Sequence, residues 1–168
     1  MSQIRTFPVL QEFADPAFIR AYPVERRVML VDWLRANPNN HNQRTWMTVS
    51  DQTDSIDCGT TACAAGATCL LMGRLIVWDE LGQPVEVISP SNPNEVRTIM
   101  RDAADALALT GLQANDIFGI ATTLDGVAAG LAAVTEDPGI EEDNLVDIIW
   151  AAQESSMTAA RLAAGLTR

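Results

Sequence analysis

The chain has 168 residues, 48% of them apolar, and a formal charge of −11. That length and composition fit one folded domain and exclude a disordered tail. No apolar run approaches the ~20 residues that span a bilayer, and so acidic a chain is a poor ligand for nucleic acid or an anionic membrane.

All the positive residues are arginines. The start, MSQIRTFPVLQEF, lacks the basic and apolar segments of a secretory signal. A cytoplasmic location with reduced thiols is therefore expected, and the odd count of three cysteines agrees. Residues 1–23 read as an irregular arm punctuated by Pro8, Pro16 and Pro23, with a short helix opening at Asp15-Pro16. Phe7, Phe13, Phe18 and Tyr22 are expected to clamp this arm to the core. Residues 24–36 form an amphipathic helix with Val24, Val28, Val31 and Leu34 on the buried face and Leu30 beside them. Arg26, Arg27, Asp32 and Arg35 are placed mostly on the solvent face. Asn37-Pro38 stops it.

Two polar loops follow, around His41 to Gln43 and over residues 51–57. The second carries three acids but not the alternating pattern of a calcium loop. The segment DCGTTACAAGATCLLMG, residues 57–73, holds Cys58, Cys63 and Cys69 and no charge after Asp57. It reads as a helix start at 57–61, capped by Asp57 or Thr60, and a buried helix at 62–72 on which the rest packs. Residues 75–78 and 85–88 read as a small hairpin that must pack on helices. Asn92-Pro93-Asn94-Glu95 has the form of a helix start, and the helix is expected to run to about Thr110 with Val96, Ile99, Met100, Ala103, Ala106 and Leu107 buried. Gly111 suits its C-cap, and a short helix follows at 113–118. Thr122 or Thr123 caps the next helix, through Val134, in which Gly126 and Gly130 permit close packing. After a break at 136–139, Glu141, Glu142 and Asp143 favour the start of a last helix. That helix runs to about Ala164, with Leu145, Ile148, Ile149, Ala152, Met157, Ala160 and Leu162 buried. The fold class is therefore mainly α, a compact helical domain with a small β-hairpin, residues 1–168 forming a single domain.

Several of these strings occur together in one group of proteins. Ala36-Asn37-Pro38 is followed by His41-Asn42-Gln43 through Trp46. Then come Cys58-Gly59-Thr60 with Cys63, Ala65 and Gly66, and Gly111-Leu112 through Ile117-Phe118. In this order the chain resembles a group of small proteins of unassigned function from actinobacterial and cyanobacterial genomes and actinobacteriophages. The resemblance covers roughly residues 24–118, and C-G-T-x-x-C-x-A-G is its most specific string. It implies a phage or mobile-element origin. Ala67 departs from the pattern, since many members carry Trp or His there, and the resemblance does not extend to residues 119–168.

Three chemistries compete for the cysteine segment. Cys58 at a helix start could be a nucleophile with a lowered pKa, with His41 as base and Asn42 or Asp57 nearby, as in a cysteine hydrolase. Against this, the histidine precedes the cysteine. A zinc site from Cys58, Cys63 and His41, with Cys69 or Asp57, is disfavoured because thiols five residues apart on one helix diverge. The plain reading is that the cysteines pack as small apolar residues, with Trp46 covering the junction and His41 and Gln43 tying the loop.

No metal or cofactor is expected. The favoured role is a non-enzymatic binding protein that modulates a host factor or defence system through a host or phage protein partner, without direct nucleic-acid or membrane binding; homo-oligomerisation is left open. Candidate binding residues are Trp46, Gln43, Thr60, Glu141, Glu142 and Asp143. The alternatives are the Cys58 hydrolase with His41 and an acidic DNA mimic that inhibits a nucleic-acid-binding protein.

Overall fold

Asp15 accepts a hydrogen bond from the Ala17 amide and starts helix α1, Pro16–Arg20, as its position before a proline requires. Helix α2, Pro23–Ala36, follows at once, its Tyr22 amide tied to the Glu25 carboxylate at 2.9 Å. The structure, a computed structural model, describes residues 5–6, 13–38, 47–48, 61–78 and 84–165. Of the arm, β1 (Arg5–Thr6) is a strand, Phe18 is fully buried and Phe13 packs on the core. Tyr22, expected as a clamp, is 77% exposed instead, because it stands at the turn between two helices. Phe7 lies outside the described residues.

The buried stripe of α2 is Arg27, Leu30, Val31 and Leu34, a regular i, i+3, i+4, i+7 set with an arginine at its head. Val24 and Val28, expected inside, are exposed. The helix is rotated from its apparent apolar face because Arg27 has a task inside. Its Nε donates to Leu107 O at 2.9 Å, Nη2 to Ala108 O at 2.9 Å and Nη1 to Val134 O at 3.2 Å. Arg26 likewise donates to Phe18 O, Ile19 O and Ala106 O. The two guanidinium groups thus bind the free carbonyls at the C-terminal ends of three helices, where the helix dipole is negative.

Two short strands, β2 (Met47–Thr48) and β3 (Thr61–Ala62), pair antiparallel ahead of helix α3, Ala64–Leu71. The expected helix start at 57–61 is corrected here: residue 61 is strand, and Cys63 is the capping residue. Every residue of α3 is buried, as its Ala-rich, uncharged sequence requires. The predicted hairpin exists as β4 (Leu75–Trp78) and β5 (Pro84–Ser89), with Leu75 opposite Ile88. It belongs to an antiparallel sheet in which β1 pairs with β4, β4 with β5, and β5 with one further strand.

The third long strand, β6 (Asn92–Thr98), replaces the helix start expected at Asn92. Pro90 and Ser91 turn the chain from Ser89 to Asn92, which are paired across β5 and β6. Pro93 is tolerated because β6 is an edge strand, and Val96, expected inside, is 47% exposed. The helix begins at the next capping residue. Thr98 accepts from the Arg101 amide, and α4 runs Ile99–Leu107. It ends at Ala108 in the left-handed conformation, φ 48°, rather than at Gly111. Gly111 instead opens α5, Gly111–Asn115, behind its cap Thr110.

A π-helical turn over Asp116–Ile120 leads to α6, Leu124–Glu136, capped by Thr123, and then to α7, Glu142–Ala163. The close packing expected at Gly126 and Gly130 is present. A Cβ on Gly126 would lie 2.8 Å from Gln153 Cγ, and one on Gly130 would lie 2.9 Å from Ile117 Cγ1. The room left at Gly126 lets Gln153 of α7 reach Thr122, whose amide and hydroxyl both donate to it at 2.6 Å. Leu145, Ile149 and Gln153 are the buried residues of α7. Ile148, expected inside, faces solvent, and Met157, Ala160 and Leu162 are exposed because beyond Gln153 no neighbouring element among the described residues covers the helix. One apolar cluster runs from Phe18 through α3 and α4 to Ile149.

Candidate functional site

The cysteine segment is a core element in its described part. Cys63 Sγ accepts from the Gly66 amide at 3.4 Å, doing the work of a capping serine. Burial pushes its thiol pKa up, and the amides of Gly66 and Ala65 oppose this without overcoming it. Desolvation therefore outweighs the helix N-terminus at this position, the reverse of what a nucleophile needs. Cys69 is fully buried, with Sγ 3.6 Å from Ile99 O and 3.9 Å from Asp102 Oδ2. Burial first, then the Asp102 charge, hold its pKa well above the ordinary thiol value. Asp102 is in turn paired with Arg74 at 2.8 Å, and Arg74 also donates to Ser89 Oγ. This buried pair ties α4 to the start of the sheet, and the thiol fills the space beside it.

Cys58, His41, Trp46, Gln43 and Thr60 lie outside the described residues. Among the described residues, no three His, Cys, Asp or Glu side chains are grouped as a metal site. Glu141, Glu142 and Asp143 are exposed around the first turn of α7, and Glu141 occupies its capping position without a side-chain capping bond.

Glu142 lines a cleft, and there it meets a residue that sequence reasoning passed over. The cleft, of about 140 Å³, lies where α5 and the π-turn face the connection from α6 to α7. Gln113 holds its two sides together. Its Oε1 accepts from the Thr110 amide at 3.0 Å, and its Nε2 donates to Pro138 O at 3.0 Å. One turn on, Asp116 lines the same cleft with 1% of its surface exposed. Neither of its carboxylate oxygens has a hydrogen-bond partner. Its pKa is raised by burial and then by the charge of Glu142, while the neighbouring Asn115 side chain, close to the carboxyl but outside good hydrogen-bond geometry, acts in the other direction. Asp116 is also the first residue of the π-turn, and its backbone carbonyl takes the Ala121 amide at 3.1 Å. Such turns are found disproportionately at functional sites. A signal was present in the sequence: Gln113, Asp116 and Ile117 fall at helical spacing, so a polar pair shares a face with a core residue.

No family model matches the chain, and no curated protein or solved structure shows significant similarity to it. No helix among the described residues is long and apolar enough to cross a membrane. The functional reading therefore rests on the residues themselves.

Proposed function

We propose that the protein is a non-enzymatic interaction protein that acts in the cytoplasm and binds a basic surface of a host or phage protein. The observation that carries this reading is the start of α7. Glu141, Glu142 and Asp143 are turned to solvent there, and none has an ion pair among the described residues. A net charge of −11 adds long-range attraction for a cationic partner. The high pKa values of the Cys63 and Cys69 thiols also favour binding over thiol chemistry at those two residues. Phage or mobile-element origin, and with it modulation of a host factor, rests on the C-G-T-x-x-C-x-A-G string.

The test is affinity capture of the tagged chain from an actinobacterial host, alongside a variant carrying Glu141→Lys, Glu142→Lys and Asp143→Lys. A stoichiometric partner retained by the wild type, lost from the variant and released by salt supports the reading. A partner retained equally by both, or none at all, refutes it.

A further inference from the structure

Helix α7 is 22 residues long, but only its first part is packed. Leu145, Ile149 and Gln153 face the domain, and from Glu154 to Ala163 only Ser156 is partly covered among the described residues. That last stretch is about 15 Å of helix, and a helix so short is marginal without packing. It has no internal ion pair to hold it. Glu154 and Arg161 stand two turns apart, and neither has a salt bridge among the described residues. On the side turned away from the domain, Asp147, Trp150, Glu154, Met157 and Arg161 follow one another at alternating steps of three and four residues. This is the spacing of a coiled-coil seam. All five are exposed, Trp150 at 52% and Met157 at 48%. The charge along the seam is ordered, with acids at Asp147 and Glu154 and the single cation of the helix at Arg161.

We propose that this seam pairs with the same seam of a second copy of the chain, the two α7 helices running antiparallel about a two-fold axis. The order of charge selects both the occupant and the direction. A parallel pair would set Arg161 against Arg161 and acid against acid. In the antiparallel pair, Arg161 lies opposite Trp150 of the second copy, with its guanidinium over the indole face and with Asp147 and Glu154 of that copy one turn to either side. The two-fold axis repeats this contact at the other end. Met157 of each copy falls opposite the Glu154 stem of the other. The overlap spans residues 148–163 of each helix, about 24 Å, and so covers the whole unsupported end. Glu141 and Glu142 stay outside it, so the pairing goes beyond the interaction reading and does not depend on it. A helix pair this short buries less than the roughly 800 Å² per partner of a stable interface. Each copy also brings a charge of −11, so the dimer is weak and reversible.

The test is sedimentation velocity of the full chain from about 5 to 500 µM in about 0.15 M salt, where self-repulsion is screened. A reversible monomer–dimer equilibrium with its midpoint in that range is expected. Arg161→Glu and Met157→Asp should each weaken it at least about tenfold. Both positions are exposed on the unsupported end of α7, so neither variant disturbs the core. Adding Asp147→Arg and Glu154→Arg to Arg161→Glu reverses every charge of the seam and should restore the affinity to within about threefold of the wild type. Positions 154 and 161 are too far apart on one helix to pair, so only a second helix can give that rescue. A chain that stays monomeric throughout overturns the proposal. So does a dimer that Arg161→Glu leaves unchanged, or one that the charge-reversed chain does not recover. A monomer in which the amides of residues 157–163 resist hydrogen exchange overturns it in favour of cover by another segment of the same chain.

Discussion

Replacing Arg27 with methionine isolates what a buried cation without a carboxylate partner contributes to this fold. The side chain is 4% exposed, and its three bonds to main-chain carbonyls join α2 to the ends of α4 and α6. Methionine keeps much of the length and the apolar stem. It leaves Leu107 O and Val134 O buried without that donor and Ala108 O without its bond. Each buried acceptor left unsatisfied costs about 1–3 kcal/mol. Removing the burial penalty of the guanidinium, which already pulls its pKa down, returns part of this. The net loss is about 3 kcal/mol, which for a chain of this size lowers the melting temperature by about 6–12 °C. Arg27→Lys keeps the charge but not the three-way fork, and should lose about half as much. Circular dichroism melts and urea titrations measure both. A fall of less than about 2 °C for Arg27→Met would refute the claim that Arg27 holds the helix ends together.

Ala108 has a left-handed backbone and an exposed side chain; Ala108→Gly should therefore stabilise the protein by about 1 kcal/mol, seen as a higher urea midpoint. Gly130→Val should destabilise by about 2–3 kcal/mol, since even its Cβ would stand 2.9 Å from Ile117 Cγ1 and 3.2 Å from Ile149 Cδ1; unchanged stability would mean that α6 and α7 are not in contact there. Asp116 has a raised pKa in the folded state, so its contribution is fully present below the ordinary carboxylate pKa and is lost as pH rises through the folded value. Asp116→Asn should therefore gain on the wild type as pH rises from about 4 toward neutrality, in urea midpoints taken across that range; a difference that does not change with pH would contradict it.

Those predictions fall largely on residues whose role is hard to read in one dimension. Local signals located much of the scaffold. Leu75–Trp78 is a strand, Thr123 caps α6, and α7 begins within one residue of its acidic turn. Each depends on near neighbours in the chain. Arg27 depends on carbonyls some eighty and more than a hundred residues away, so its charge pointed to solvent and dragged Val24 and Val28 to the wrong face. The Asn92 error had another cause. N-P-N-E is a good helix start, but the turn before it offered an edge of the sheet, and pairing with β5 outweighed the local preference. Asp116 was missed because its partner residue, Glu142, reaches the cleft from a different helix.

The same use of arginine bears on the acidic surface. Arg26 and Arg27 are committed to helix ends, Arg74 to Asp102, and Arg97 to Glu95 and Asp105. Four cations of a total of eleven are thus occupied within the fold, and two of those four neutralise no carboxylate at all. Arg26, Arg27 and Arg74 thus carry positive charge inward, Arg97 is paired at the surface, and the acids of the α7 start stay in water. The resulting field is strongest for a partner that brings its own cations, and it weakens with salt over the ~8–10 Å screening length of physiological buffers.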